Sequence, residues 1–254
     1  LMTGKLFLHG IKALKRQKIY VVINILGLSV GLAASLIISL FVIHETTYDK
    51  YNEHYDRIYR VILDGKMGEQ EVEAAYTASP IGPYMEAEFP EVEACTRWNP
   101  WGETVLKMED QAIAVEDFVE TDSSFFRIFS LDLLRGNPAS ILNEPRTMIL
   151  TQSTAIKLFG TEDVLGKTLR VGNDTIPYRI TGLMEDFPER SHFHANILSS
   201  FMTNRRSNDD QWLANSFGTY VLLKPGADPA SVNAKFPRMI VDRVGDDLQQ
   251  YMGV

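Results

Sequence analysis

The sequence predicts an α+β protein: one transmembrane helix near the N-terminus, then a stalk and an exported domain of mixed antiparallel sheet and short helices. Three observations predict it. Between Lys18 and Glu45 there is no Asp, Glu, Lys or Arg, and residues 19–44 form one apolar run. A helix needs about 20 such residues to cross a bilayer. The chain before that run is basic and the chain after it is acidic. Beyond it, β-branched strand patterns mix with capped helical stretches, without the regular βαβ rhythm of a parallel sheet.

Charge sets the expected orientation. The 254-residue chain carries a net charge of −8. Residues 1–18 hold Lys5, Lys12, Lys15, Arg16 and Lys18 and no acid, so the remainder has 20 basic against 33 acidic side chains. Positive flanks of a membrane span stay in the cytoplasm. Residues 1–18 are therefore expected inside the cell, residues 19–44 in the plasma membrane and residues 45–254 outside. An acidic exported domain lacks the basic footprint that nucleic acid requires. Cys95 is the only cysteine, so the domain must stand on packing, for which about 210 residues suffice. A cleaved signal peptide fits poorly. Its apolar core is shorter, and the small cluster Ala33-Ala34-Ser35 sits in mid-run rather than at its end.

Taken in order, Phe7, Ile11 and Leu14 recur at i, i+4, i+7 with Lys12, Lys15 and Arg16 mostly on the other side. That is a basic amphipathic helix for the membrane surface. Lys12, Lys15, Arg16 and Lys18 would face the membrane surface or a cytoplasmic partner. In the span, Gly27, Gly31, Ser35 and Ser39 recur every four residues, with Asn24 one turn earlier. Small residues at this spacing let helices approach closely in lipid, although Gly and Ser are common in membrane helices generally. Tyr48, Tyr51, Tyr55 and Tyr59 follow at helical spacing and predict a helical stalk. A strand begins near Ile58. Ser79-Pro80 opens a helix that ends before Pro90. Strands are expected over 103–108 and 112–120, turning at Glu109-Asp110. Thr121-Asp122 is expected to cap a helix through Phe125 and Phe129. RTMILT is a strand, and Thr151 or Ser153 caps a helix closed by Gly160. KTLRVG and TIPYRITGLM pair across Gly172-Asn173-Asp174, TYVLLK is a strand, and a last helix runs from Pro229 to Val244.

Several motifs resemble chemistry and fail on context. Gly27 to Gly31 matches G-x-S-x-G, but a nucleophile elbow needs a strand–turn–helix setting. Gly160 to Thr168, GTEDVLGKT, approaches a P-loop, but it has one residue too many and two acids. It also follows a helix and precedes a strand, the reverse of the required order. A turn with an unusual backbone angle at Gly166 is the simpler reading. His192 and His194 share a face on a strand, yet no other His or Cys lies near them in sequence for a metal set. Trp98 and Trp101 suit buried aromatics at a strand end better than a groove. Cys95 lacks a nucleophile's His or Asn context. No catalytic constellation, metal site or cofactor is expected.

The segments INILGLSVG (23–31), ETTYDKYNEHYDRIYRV (45–61), TDSSFFRIFSLDLLRGNP, MILTQSTAIKLFGTEDVLGKTL and ITGLMEDFPERSHFHANIL together resemble ABC-transporter permeases of the MacB/FtsX type. The resemblance spans nearly the whole chain. It implies a periplasmic core domain and a permease dimer. It also implies a separate cytoplasmic ATPase whose motion passes through the first helix and stalk, and it allows a periplasmic adaptor. Asn24, Gly27, Gly31, Ser35 and Ser39 would pack helices, and Tyr48, Asp49, Arg57 and Tyr59 would hold the stalk against the core. Family members carry further membrane helices, so the chain reads as C-terminally truncated. Two other readings share the topology. A single-pass sensor would need a signalling module that 18 cytoplasmic residues cannot hold. A membrane-anchored enzyme would need a catalytic cluster.

Overall fold

The computed structural model describes residues 18–67, 70–108 and 111–252. The chain divides into two compact units, Leu1–Tyr48 and Asp49–Val254. Glu109 and Asp110, and the basic residues Lys12, Lys15 and Arg16, lie outside the described residues. In the first unit, helix α1 (Lys18–Thr46) buries no residue. At 1.5 Å per residue it is roughly 43 Å long, against about 30 Å of hydrocarbon. Among the described residues it is the one helix long and apolar enough to cross a membrane. Thr46 and Thr47 hydroxyls donate to the carbonyls of Val42 and Ile43, each at 2.7 Å. They give second donors to carbonyls of the last turn, that of Ile43 also accepting the Thr47 N–H at 3.1 Å.

The second unit contains β1 (Ile58–Val61), β2 (Leu63–Met67), β3 (Gln70–Ala74), α2 (Ile81–Glu88), β4 (Val92–Met108) and β5 (Gln111–Thr121). There follow α3 (Phe125–Ile128), β6 (Leu133–Gly136), β7 (Thr147–Thr151), α4 (Gln152–Phe159), β8 (Thr168–Val171) and β9 (Tyr178–Met184). The chain continues with β10 (Ile197–Ser200), β11 (Gly218–Leu223), α5 (Pro229–Asn233) and α6 (Phe236–Met252). β2 and β3 form a separate hairpin. The other strands form one sheet in the order β1-β11-β4-β5-β10-β7-β9-β6, and β8 pairs with both β4 and β9. That double pairing closes a ring, β4-β5-β10-β7-β9-β8.

Strand side chains alternate between faces, and the ring sorts them. Leu106, Phe118, Met148, Leu150, Leu169, Ile180 and Ile197, drawn from all six ring strands, form one buried cluster, the ring interior. Their neighbours Val119, Ile149, Met184 and Leu198 face outward, into a second cluster with Phe125, Phe129, Phe193 and Tyr220. A third cluster joins β1 and β11 to α2 and α6 through Val61, Met85, Phe89, Val221 and Met239. Each fully buried side chain of this size is worth about 1.5–3 kcal/mol.

The structure departs from the sequence expectations where long-range bonds decide. The sheet is mixed: β10 pairs with β5, and β7 with β9, in parallel. The strand expected over 103–108 begins at Val92 and passes through Pro100 by register shifts between Pro100 and Thr104; such bulges absorb a proline and bend the strand. The stalk is not helical. After α1, residues 47–57 run through turns, and Asp49 takes a left-handed φ of 58° that ends helical propagation. The helix expected to open at Ser79-Pro80 begins at Ile81, with Pro80 flanking it, and the Ser79 hydroxyl donates to the Arg206 carbonyl at 2.6 Å. Thr121 and Asp122 do not cap α3, whose first flanking residue is Ser124; Asp122 is taken by Arg97. The last helix is split, since Pro237 has no N–H to offer the preceding turn and suits the first turn of α6. Thr151 does cap α4, accepting from the Thr154 N–H, and Gly160 closes it at φ 68°. Gly166 turns at φ 80°, so GTEDVLGKT is a helix end and a turn.

Candidate functional site at the root of the domain

The second unit begins at Asp49, and the residues that receive it come from distant parts of the chain. The Asp49 N–H donates to the Arg190 carbonyl at 2.9 Å. Its carboxylate takes the His192 N–H at 2.9 Å through Oδ1 and faces His192 Nδ1 at 2.7 Å through Oδ2. The other ring nitrogen, Nε2, lies 3.2 Å from the Tyr220 hydroxyl on β11. The carboxylate only accepts, so Nδ1 carries the proton and Nε2 accepts from Tyr220. Tyr51 Oη meets Ser191 Oγ at 3.0 Å. Buried Asn52 donates to the Asp49 carbonyl at 3.0 Å and accepts the Ser130 N–H at 3.0 Å. The Glu53 N–H donates to Ser130 Oγ at 2.9 Å. Residues 49–53 are thus stitched to the loop before β10 and to the end of α3.

Beside these bonds lies a cleft of about 340 Å³, lined by Tyr55, Arg60, Phe129, His192 and Tyr220 among others. The Arg60 guanidinium sits 5.6 Å from the Tyr220 ring centre and 5.9 Å from that of Tyr76. It donates to the Ala75 carbonyl at 2.8 Å. Burial holds the His192 imidazole below its ordinary pKa, although Asp49 pulls the other way; Arg60 and His194 add to the lowering. Burial pushes the Tyr220 phenol up to about 12, so it stays a donor.

Two further polar clusters brace the sheet. Buried Arg97 on β4 binds Asp122 through Nε at 2.9 Å and Nη2 at 2.7 Å. Its Nη1 donates to Ser79 Oγ at 2.9 Å and the Ser207 carbonyl at 2.7 Å, and the guanidinium lies 4.1 Å from the centre of the Phe201 ring. Glu120 on β5 is 1 % exposed. Its Oε2 accepts from Asn99 at 2.8 Å, Trp101 at 3.1 Å and Asn204 at 2.6 Å. Burial raises the Glu120 pKa.

The predicted coupling residues divide. Asp49 and Arg57 bind the domain: Arg57 Nη1 donates to the Leu223 carbonyl at 2.6 Å and meets Glu93 at 3.2 Å. Among the described residues the Tyr59 hydroxyl bonds the Asp56 carbonyl, at 3.4 Å. Tyr48 belongs to the first unit, where its ring meets His44 edge-on at 5.8 Å. Asn24, Gly27, Gly31, Ser35 and Ser39 lie exposed along α1, with Ser35 Oγ donating to the Gly31 carbonyl at 2.9 Å. Lys18 begins α1. His192 and His194 are not on a strand and both are exposed; His192 is held by Asp49 and Tyr220. Trp98 packs in the aromatic cluster, and Trp101 is 47 % exposed, both in mid-β4. Cys95 is buried, and burial pushes its thiol pKa far up. Sequence reasoning missed Tyr220, Asn52 and the role of His192. One signal was present: a tyrosine within the apolar run TYVLL needs a partner for its hydroxyl once buried.

The chain belongs to the family of the MacB-like periplasmic core domain, whose model matches residues 21–239. Among solved structures, a domain of a protein described as a permease from Porphyromonas gingivalis is similar at 27% identity and a TM-score of 0.68, covering 76% of this chain and 83% of its own. The periplasmic region of MacB from Actinobacillus actinomycetemcomitans shares the fold at 13% identity and a TM-score of 0.53, covering 73% of this chain and 83% of its own. So does the extracellular domain of the noncanonic ABC-type transporter YknZ from Gram-positive bacteria, at 15% identity and a TM-score of 0.53, covering 74% and 93%. No curated protein matches the chain in sequence. The second unit is therefore a MacB/FtsX-like periplasmic core domain, preceded by an apolar helix of membrane-spanning length.

Proposed function

We propose that this chain is the permease part of an ABC transporter that passes ATP-driven motion from a separate cytoplasmic ATPase to a domain outside the membrane. Residues 1–18 lie on the cytoplasmic surface, 19–44 span the plasma membrane, and 45–254 form the stalk and exported domain. Motion of the exported domain expels a substrate or actuates a partner such as a periplasmic adaptor, and the chain itself catalyses no reaction. Lys12, Lys15, Arg16 and Lys18 face the lipid headgroups or the ATPase. The register of Asn24, Gly27, Gly31, Ser35 and Ser39 packs α1 against a second copy or further helices. Tyr48, Asp49, Arg57 and Tyr59 carry force from α1 into the domain.

One observation carries this reading. α1 ends at Thr46, and three residues later Asp49 is bonded to a loop from the far end of the sequence. Only two residues of chain, Thr47 and Tyr48, connect the end of α1 to Asp49. The test is affinity purification of the protein from its own membranes in mild detergent. Co-purification of an ABC ATPase whose ATP turnover changes with the Asp49→Ala variant is the expected result. Repeated recovery without any ATPase would overturn the reading.

A further inference from the structure

β1 is an edge strand of the sheet, paired on one side by β11. The Leu223 N–H donates to the Arg57 carbonyl at 3.0 Å, and the register continues with Ile58 opposite Leu222 and Val61 opposite Thr219. In an antiparallel ladder alternate residues turn their N–H and C=O to the same neighbour. Arg57, Tyr59 and Val61 therefore face β11, while the N–H and C=O of Ile58 and Arg60 point away from it. Among the described residues no hydrogen bond reaches these outward groups. Beside this edge the apolar core is open. A hollow of about 650 Å³ is lined by Tyr59 and Val61 of β1, Ile81 and Met85 of α2, and Phe236 and Met239 of α6 among others. A completed core packs as densely as an organic crystal. On the opposite face of β1 the Arg60 guanidinium stacks near Tyr76 and Tyr220 and donates to the Ala75 carbonyl. Among the described residues no carboxylate forms an ion pair with it.

Topology says what belongs on this edge. β1 and β4 both run antiparallel to β11, so β1-α2-β4 is a parallel crossover that steps over β11. α2 and α6 pack on one face of these strands, in one cluster. β11 leads through α5 into α6 and runs opposite to β1. Crossovers between parallel strands share one hand. With its helix on the same face and its first strand reversed, a crossover of that hand from β11 through α6 steps the other way, past β1. Its last strand falls on the open edge. We infer that the edge of β1 receives one further strand, antiparallel to β1 and supplied by the polypeptide that follows α6. Its backbone pairs with the outward groups of Ile58 and Arg60. Cross-strand neighbours share a face, so its side chains opposite Tyr59 and Val61 are apolar and fill the hollow. The side chain opposite Arg60 is acidic, because opposite charges across a strand pair attract.

The test uses the protein expressed from its uninterrupted gene in lipid nanodiscs. Tyr59→Cys is combined with single cysteines placed in turn after Met252, and disulfides are read on denaturing gels. Tyr59 and its new neighbour form a non-hydrogen-bonded pair, the kind with the closer side chains. The expected result is a disulfide within one chain, at a position adjacent to an acidic residue. The Ile58 and Arg60 amides are expected to exchange as slowly as those of Tyr59 and Val61. In the chain ended at Val254 they are expected to exchange severalfold faster, with β7 amides unchanged. If that shorter chain does not fold, the disulfide and the exchange rates of the uninterrupted protein decide alone. A disulfide between two chains would assign the edge to a second copy and overturn the inference. So would fast exchange of Ile58 and Arg60 in the uninterrupted protein, or a reading frame that stops at Val254. The added strand requires neither an ATPase nor transport, so it and the coupling reading fail separately.

Discussion

The closed ring and the root of the domain are held by opposite kinds of force. The ring interior is a cluster of fully buried aliphatic and aromatic side chains from six strands. The root is a chain of directional bonds: Asp49 to His192, His192 to Tyr220, Tyr51 to Ser191, Asn52 to Ser130. Burial is non-directional and insensitive to pH. Hydrogen bonds are individually worth about 1 kcal/mol, and are costly only when one partner is left buried and alone. The ring is therefore suited to staying rigid while the root moves. Local openings with low free energy are drawn from such polar, thinly packed segments.

Four substitutions test that contrast, from the largest effect down. Phe118→Ala empties the ring interior, where Phe118 is 0 % exposed. It should cost about 3–5 kcal/mol in denaturant unfolding. A loss below about 1 kcal/mol would mean the ring is not the stable core. Asn52→Ala removes the two side-chain bonds of Asn52 in the entry turn and should cost about 1–3 kcal/mol. It should also raise exchange at residues 49–53 while leaving β7 protected. Global loosening instead would erase the distinction between the two regions. Thr151→Ala deletes the cap of α4 and should cost about 1 kcal/mol, read as a lowered midpoint with an unchanged denaturant slope.

The smallest effect has a distinctive sign. Glu120 is buried with three donors on one oxygen, and burial raises its pKa in the fold. The unfolded chain gives up that proton more readily, so Glu120 costs stability as pH rises through the range between its unfolded and folded values. Glu120→Gln keeps an acceptor for the donors without the charge. Its stability should gain on that of the natural chain as pH rises from 4 to 7. A widening deficit over that range would show that the ionised carboxylate is what the site requires.

The sequence shows where local forces dominate. The apolar run of α1, the Thr151 cap, the Gly160 stop and the β8–β9 hairpin were all legible, because each depends on residues within one or two turns of one another. Thr121 and Asp122 looked like caps and were not. Asp122 is claimed by Arg97 instead, which no local pattern announces. The tyrosine spacing from Tyr48 to Tyr59 looked helical, yet Asp49 turns left-handed to reach His192, 143 residues later. Of the candidate site, Asp49 and Arg57 could be named from motif resemblance. His192 read only as one of two histidines without a metal set, because its two partners lie on other strands and turns.

By itself, then, the sequence determined the membrane-length helix, the acidic domain after it and its family, all properties of composition and short-range pattern. The tertiary structure alone decided the closed ring, the parallel pairings and the ring of bonds around His192. Those depend on which distant residues meet. That is settled by burying the alternating faces of all six ring strands together and by pairing the polar groups that burial traps, as Arg97 and Glu120 are paired.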